Sequence, residues 1–367
     1  MSATTAMTTV VEPPVNRAMG ICSQSIARVA DARYPDGHTR RNAVKILHGL
    51  ETLDPPLGHS VLTIGNFDGV HRAHLQILAQ AGLFAANTGG PVVVLTFEPH
   101  PLTIVAPAKA PRLLSLPEEK LRCLAQAGAD ITVVAKSEPA LLDLAAERFV
   151  EDVVRRFHPT HIVEGPSFGF GRGRKGTPEL LRRIAARFNC EVHIVEPVTL
   201  QIDEGETLMV SSSLIRRLLT EGKVRRAALC LGRPYALIGE VVEGDGRGRT
   251  IGFPTANIAT PDQLVPGSGV YAGRAVVRSD IHLAAISIGH TPTFGGTEQQ
   301  IEAHLLDFDG DLYGEMIRIE FERRLREQRR FDSVQALADQ LHRDVAAVRD
   351  SADPSRPVTQ TGKVQAS

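Results

Sequence analysis

Cysteine is scarce: four in 367 residues, at Cys22, Cys123, Cys190 and Cys230, with no Cys-x-x-Cys pair. Their isolation excludes a disulfide framework and a cysteine-based zinc site, and fits a reducing cytoplasm. No apolar run approaches the ~18 residues that a membrane helix requires, so no membrane partner is expected. An excess of one charge is also missing. Against 41 Lys and Arg stand 42 Asp and Glu, a net charge of −1. That balance argues against a nucleic-acid partner, and the basic run Arg323–Arg330 reads as a solvated strand end or helix face. Neither a P-loop, nor a clean dinucleotide fingerprint, nor an internal repeat is present. Residues 1–42 lack a secretory apolar core, and Glu12, Asp31 and Asp36 count against a transit peptide. A disordered extension is expected there, and a second disordered tail over 351–367.

What remains is ordinary globular material, 43% apolar and 23% charged, long enough for two cores. From Ser60 to about Val198, short apolar runs alternate with helical periodicity. SVLTIG (60–65), PVVVLTF (91–97), ITVVA (131–135), THIVEG (160–165) and EVHIV (191–195) are separated by amphipathic stretches at Leu75–Ala86, Ala145–Phe157 and Pro178–Phe188. Near-continuous apolar strands joined by helices predict an α/β, Rossmann-like parallel sheet covered on both faces. Two helical segments, Ser211–Glu221 and Val224–Leu231, are expected to close this unit.

After Arg233 the pattern changes. Residues 236–244, 270–277, 283–289, 301–308 and 316–325 read as strands with Gly-, Pro- or Asp-containing connections and no intervening helix. Five or six such strands predict a small antiparallel β-barrel, crossed by a final helix, Ser333–Arg349, with Ser333 as N-cap. Two domains are therefore expected, over 43–232 and 233–350.

In the first half, GNFDGVHRAH (65–74) lies where a strand ends and a helix begins, so Gly65, Phe67 and Asp68 lead into an anion-ready helix start. His71 and His74, three apart, share one face of the first turn. Cationic or hydrogen-bond-donating imidazoles there would stabilise charge on an α-phosphate. A metal-ligand pair and solvated helix-start histidines are the rival readings. Ser211 and Ser212 precede Arg216 by about a turn, which suits phosphate binding, or an ordinary serine N-cap with a surface arginine. The glycine-rich 164–176 stretch reads as a flexible surface loop.

GDGRGRTIGFPTAN (244–257) is the richest stretch of the second half. Gly244, Gly246, Gly248 and Gly252 permit close backbone approach to a phosphate, beside Arg247 and Arg249. No helix is expected to follow. Pro254 stiffens the approach to Thr255 and Asn257, two oxygen donors suited to Mg²⁺. Glu302, at the expected start of an apolar strand, is a candidate general base toward an alcohol, or a rim glutamate.

Taken together these strings resemble the bifunctional riboflavin kinase/FMN adenylyltransferase family, the bacterial-type FAD synthetases, over about 300 residues. The resemblance rests on TIGNFDGVHRAH, LTFEPHP (95–101), SSSLIRRLL (211–219), residues 231–258, GVYAG (269–273), IGHTPTFGG (288–296), HLLDFDGDLYG (304–314) and residues 331–344, in the family's order. It implies ATP-dependent phosphorylation of riboflavin to FMN in the barrel, and adenylation of FMN to FAD in the sheet domain. By position, Thr255 and Asn257 would bind Mg²⁺–ATP, Glu302 would activate the ribityl 5′-hydroxyl, and the 244–252 glycines would cover the phosphates. His71 and His74 would face the α-phosphate, with Ser212 and Arg216 at the triphosphate. Riboflavin, FMN and ATP are the implied partners. Alternatives are a monofunctional kinase and a non-catalytic flavin binder. Ala73, Ser167 and Leu214 in the sheet half, and Ser287, His290 and Thr291 in the barrel half, depart from the family's pattern, and Ala73, where the family keeps glycine, is expected to crowd the nucleotide.

Overall fold

The computed structural model describes residues 44–52, 57, 59–202, 206–244, 247–260, 262–293 and 296–351. The expected disordered extension, and all but the first residue of the expected tail, lie outside them. Six parallel strands form the first sheet: β1 (Lys45–His48), β2 (Ser60–Ile64), β3 (Val92–Glu98), β4 (Ile131–Lys136), β5 (Pro159–Glu164) and β6 (Glu191–Ile194), in the order β1-β4-β3-β2-β5-β6. Period two along each strand divides their apolar residues between two cores. Val61, Val92, Val94 and Val163 meet Ile77, Leu78, Ala81 and Ala85 of helix Arg72–Thr88 and Cys123 and Leu124 of helix Pro117–Gln126. Leu62, Ile64, Val93, Leu95 and Ile162 point the other way. They meet Phe149, Val153 and Phe157 of helix Ala146–Phe157 and Leu181 and Ile184 of helix Pro178–Ala185. The covered parallel sheet expected from the apolar runs is present. The sequence pattern missed β1, at the sheet edge.

A hairpin not foreseen from the sequence follows, β7 (Thr199–Ile202) with β8 (Glu206–Met209). The last six strands are β9 (Tyr235–Val242), β10 (Ala256–Ala259), β11 (Gly269–Val277), β12 (Asp280–Thr293), β13 (Gly296–Leu305) and β14 (Met316–Arg326). They close a barrel, β10-β13-β12-β11-β14-β9, antiparallel throughout, with β9 pairing β10. Ile317, Ile319 and Phe321 alternate inward along β14 and fill it with Tyr235, Leu237, Tyr271, Ile286 and Ala303. Gly239 is required on sterics: a Cβ there would lie 2.4 Å from the Ala259 carbonyl oxygen. Helix Val334–Ser351 crosses the barrel, and the Ala336 N–H donates to Ser333 Oγ at 3.1 Å, the expected cap.

Helices Ser212–Thr220 and Val224–Leu231 were expected to close the sheet unit. Their apolar faces instead bury Ile215, Leu218, Leu219, Val224 and Leu231 in one cluster with the barrel residues. Polar contacts reinforce this junction. Leu113 N–H donates to Asp262 O (3.0 Å), Leu264 N–H to Leu113 O (2.8 Å), and Gln263 Nε2 to Leu114 O (3.3 Å). Buried Glu119 accepts from Arg122 (2.7 and 2.8 Å) and from Arg318 of β14 (2.8 Å). Burial alone would raise the Glu119 pKa, but the two guanidinium groups override it and hold the carboxyl at about 2.

Glu119→Ala is expected to destabilise the chain by about 1–3 kcal/mol, because the buried Arg318 loses one of its two carboxylate partners and keeps only Glu320 at 2.9 Å. A depressed folded pKa contributes stability that is full above the unfolded value of 4.5 and fades as pH falls toward 2. The variant's melting temperature should therefore converge on that of the parent across that window. Parallel curves would remove Glu119 from the acid sensitivity.

Candidate functional site

β2 ends at Ile64, and Gly65 N–H still donates to Leu95 O at 3.0 Å. The chain then turns through left-handed conformations at Phe67 (φ 49°), Gly69 (φ 83°) and Val70 (φ 38°) before helix Arg72–Thr88 begins. Gly69 is needed twice over, since a Cβ would also lie 2.9 Å from Leu114 Cδ1. The helix start thus sits at the carboxyl edge of the parallel sheet, where open α/β sheets take their ligands.

His71 and His74 stack at that start with ring centroids 3.6 Å apart, and Phe67 meets His74 edge-on at 5.0 Å. His71 N–H donates to His74 Nδ1 at 3.4 Å. The proton of a neutral His74 therefore resides on Nε2, which is left as a donor. His71 is 4% exposed, and its Nδ1 has no partner among the described residues. Burial lowers His71 to about 4, with Arg233 adding to the effect. Burial, His71 and Arg233 together hold His74 well below its usual value. Of the cationic and neutral forms the sequence leaves open, these shifts favour the neutral form of both imidazoles near pH 7.

Asp68, 5% exposed, accepts from Leu114 N–H (2.9 Å) and Ser115 N–H (3.2 Å) and pairs with Arg216. Arg216 also donates through Nε to Arg112 O at 2.9 Å. Ser212 Oγ donates to Asp68 O at 3.0 Å, while Ser211 Oγ caps its helix by accepting from Leu214 N–H at 3.2 Å. So Phe67, Asp68, His71, His74, Ser211, Ser212 and Arg216 do converge, with Asp68 as their internal anchor.

Residues singled out from the sequence only within a longer string, or not at all, complete this edge. His100, inside LTFEPHP, accepts at Nδ1 from Leu102 N–H (3.2 Å) and presents Nε2 to the Asn66 amide at 3.3 Å. Arg233 donates to Val70 O (3.0 Å) and Gly69 O (2.7 Å), pinning the turn from the barrel side. Buried Glu164, at the end of β5, accepts from Ile64 N–H at 2.7 Å, and burial raises its pKa well above the usual carboxylate value. For His100 and Glu164 the sequence signal was a polar residue at or just past the end of an apolar strand.

Two of the sheet-half departures are packed side chains. The Ala73 side chain packs against the buried cluster shared by helices 212–231 and the barrel, as does Leu214. The methyl expected to crowd the nucleotide thus has apolar neighbours on the barrel side. Ser167 is exposed, and its carbonyl accepts from Arg174. Its loop is anchored rather than free: Phe170 is buried against Phe168 and Phe149, and a Cβ on Gly171 would strike the Ala146 backbone at 2.6 Å.

In the barrel, strand register brings Asn257 (β10), Glu302 (β13) and Ser287 (β12) into one row. Gln300 Nε2 donates at 3.0 Å to both Asn257 Oδ1 and Glu302 Oε1. Glu302 does not begin its strand, as the sequence suggested. β13 starts at Gly296, because pairing with β12 continues past the apolar run through Gln300, Gln299 and Glu298. Ile301, Ala303 and Leu305 fill the barrel, so period two turns Glu302 outward. There it lines a cavity of about 400 Å³ with Ser287, Gly289, His290, Gln300, Gln328, Arg329 and Arg330. The basic run is therefore not merely solvated: Arg329 and Arg330 wall this cavity, and Arg326 pairs with buried Asp344 at 2.8 Å.

The 244–257 stretch contains a helical turn, Arg247–Thr250, where none was expected. Phe253 N–H closes it onto Gly248 O at 2.9 Å, and Gly252 (φ 83°) turns the chain toward Thr255. Gly246 lies outside the described residues. Gly244 borders Asn257 so closely that a Cβ would fall 1.9 Å from the Asn257 amide nitrogen. Half-buried Thr255 lies just before β10 and half-buried Asn257 within it. Their hydroxyl and amide oxygens are hard donors that fit Mg²⁺.

Two phosphate-handling constellations, one on a parallel sheet and one on a closed barrel, define a two-site nucleotide-using transferase. The comparisons with known proteins agree. The riboflavin kinase family model matches residues 231–352, and the FAD synthetase model matches 54–213. The chain is 36% identical to the bifunctional riboflavin kinase/FMN adenylyltransferase of Escherichia coli K12, over 86% of this chain and all of that one. For the Bacillus subtilis 168 protein of the same name the figures are 34%, 82% and 95%. A solved structure described as a macrolide-efflux protein from Streptococcus pneumoniae matches with TM-score 0.75 at 32% identity, covering 83% of this chain and 99% of that one. Among the described residues no helix is long and apolar enough to cross a membrane. The chain belongs to the bifunctional riboflavin kinase/FMN adenylyltransferase family.

Proposed function

We infer that this chain phosphorylates riboflavin to FMN on the barrel and adenylates FMN to FAD on the parallel sheet, using ATP in both steps. The observation that carries the barrel step is the Asn257–Glu302–Ser287 row beside an open cavity, with Gln300 bridging the first two. Glu302 accepts the proton of the riboflavin 5′-hydroxyl as that oxygen attacks the γ-phosphorus of ATP. Gln300 fixes the carboxylate and the Asn257 amide relative to each other. Thr255 and Asn257 would hold Mg²⁺, which supplies charge neutralisation for the phosphates. Gly244, Gly248 and Gly252 keep the neighbouring backbone close enough to follow them.

On the sheet, neutral His71 and His74 donate to the α-phosphate, where negative charge grows as pyrophosphate leaves. Gly65, Phe67 and Asp68 shape the approach, and Ser211, Ser212 and Arg216 border the triphosphate. Asp68 acts through Arg216 and the Ser115 loop rather than on the phosphate. The packing of Ala73 and Leu214 in the apolar cluster favours retention of the adenylation step. The sheet chemistry belongs to residues 43–232 and the barrel chemistry to 233–350, although the apolar faces of helices 212–231 pack in the barrel's cluster. Cys123, Cys190 and Cys230 are buried free thiols, in keeping with a reducing cytoplasm.

Pure protein given riboflavin, ATP and Mg²⁺ is expected to yield FMN first and FAD second on chromatography. FMN alone would replace this reading with a monofunctional kinase. Unchanged riboflavin would replace it with a flavin binder.

A further inference from the structure

Strands β5 and β6 carry a cluster that neither phosphate site uses. Glu191 and His193, two apart, share one face of β6, and the parallel register sets His161 of β5 against Glu191. Three ligand atoms converge as a result. His161 Nδ1 lies 3.1 Å from His193 Nε2, and Glu191 Oε2 lies 3.6 Å from His193 Nε2 and 3.9 Å from His161 Nδ1. Phe84, from helix Arg72–Thr88, stacks on both imidazoles at centroid distances of 4.6 and 4.0 Å and so fixes both ring planes. Among the described residues this is the one group of three such side chains whose ligand atoms lie within 4.8 Å of one another.

We propose that His161, His193 and Glu191 form a transition-metal site of the Zn²⁺ class that fastens edge strand β6 to β5. A tetrahedral ion bonded at about 2.0–2.1 Å spaces its donors roughly 3.3 Å apart, within the range of separations seen here. Two imidazoles and one carboxylate leave a fourth position for water. Nitrogen donors select Zn²⁺, Co²⁺, Ni²⁺ or Cu²⁺ over Mg²⁺, so this site and the ATP-linked cation do not compete. The Glu191 side chain is 73% exposed, which gives the ion an open route inward. A plain N–H···N bond between the two rings is the competing account of the 3.1 Å contact.

The full-length protein, stripped by a chelator and held free of ATP and Mg²⁺, is titrated with Co²⁺ and then Zn²⁺. One Co²⁺ per chain should give the visible absorption of a four- or five-coordinate ion, and one equivalent of Zn²⁺ should remove it and raise the melting temperature. His193→Gln and Glu191→Gln should each weaken binding at least about 10-fold, since even second-shell losses around metals cost 10–100-fold. His74→Ala should bind as wild type does, which separates this cluster from the stacked pair. Glu191→Gln changes an exposed side chain, and its riboflavin kinase rate should match wild type, so weaker binding cannot be assigned to misfolding. The proposal is overturned if wild type gives no such band, or if both ligand variants bind with wild-type affinity.

Discussion

Glu302→Gln is expected to lower riboflavin phosphorylation by about 10²–10⁴-fold, the usual cost of losing a general base. FAD formation from supplied FMN should stay unchanged, because the histidine pair lies at a helix start on the parallel-sheet unit, outside the barrel. Glutamine suits the test, since it keeps the volume of the residue and an oxygen able to accept from Gln300 Nε2, as Glu302 Oε1 now does at 3.0 Å. Pairing of β13 with β10 and β12 runs through the backbone and is left intact. What disappears is the capacity to take a proton from the attacking hydroxyl. The loss should therefore fall on kcat, with the KM values for riboflavin and ATP nearly constant. A variant retaining more than half the wild-type kcat would remove Glu302 from proton transfer. A loss confined to KM would recast it as a binding residue.

The contrast between Glu302 and its neighbours shows what a linear sequence can carry. The inward alternation of β14, Met316–Arg326, was readable because one face packs and the other does not. β10 escaped because four residues, Ala256–Ala259, are too few to display a period. The row Asn257–Glu302–Ser287 depends on strand register, which no local pattern encodes, although each residue type was suggestive by itself. The same holds for His161 against Glu191 and His193. The spacing Glu-x-His is visible in the sequence, whereas the parallel partner is not. Arg329 and Arg330 are exposed just past the end of β14, as expected of a charge run, and only closure of the barrel also places them beside Glu302. The 164–176 loop misled through its glycines, whose freedom is spent where Gly171 passes the Ala146 backbone.

His74→Ala is expected to lower FAD formation from FMN and ATP by about 10²–10³-fold, the cost of removing one preorganised donor to a developing anion. Riboflavin phosphorylation should persist at the wild-type rate. The loss should be this large because His74 Nε2–H is aimed by two contacts, the His71 N–H on Nδ1 and the stacked His71 ring. Burial and Arg233 keep both rings neutral, with His71 at about 4. The adenylation rate should therefore show no inflection near pH 6.5, where an ordinary histidine titrates. Ala73→Gly is the companion variant. Were the alanine methyl crowding the nucleotide, glycine would raise the rate. The methyl instead packs against the cluster that contains Leu114 and Leu231. Glycine there should cost about 1 kcal/mol in helix propensity and give no gain in FAD formation. Chromatographic rates for wild type and both variants, taken with their melting temperatures, decide the matter. A faster Ala73→Gly enzyme would return the crowding account, and a His74→Ala enzyme at wild-type speed would take the stacked pair out of adenylyl transfer.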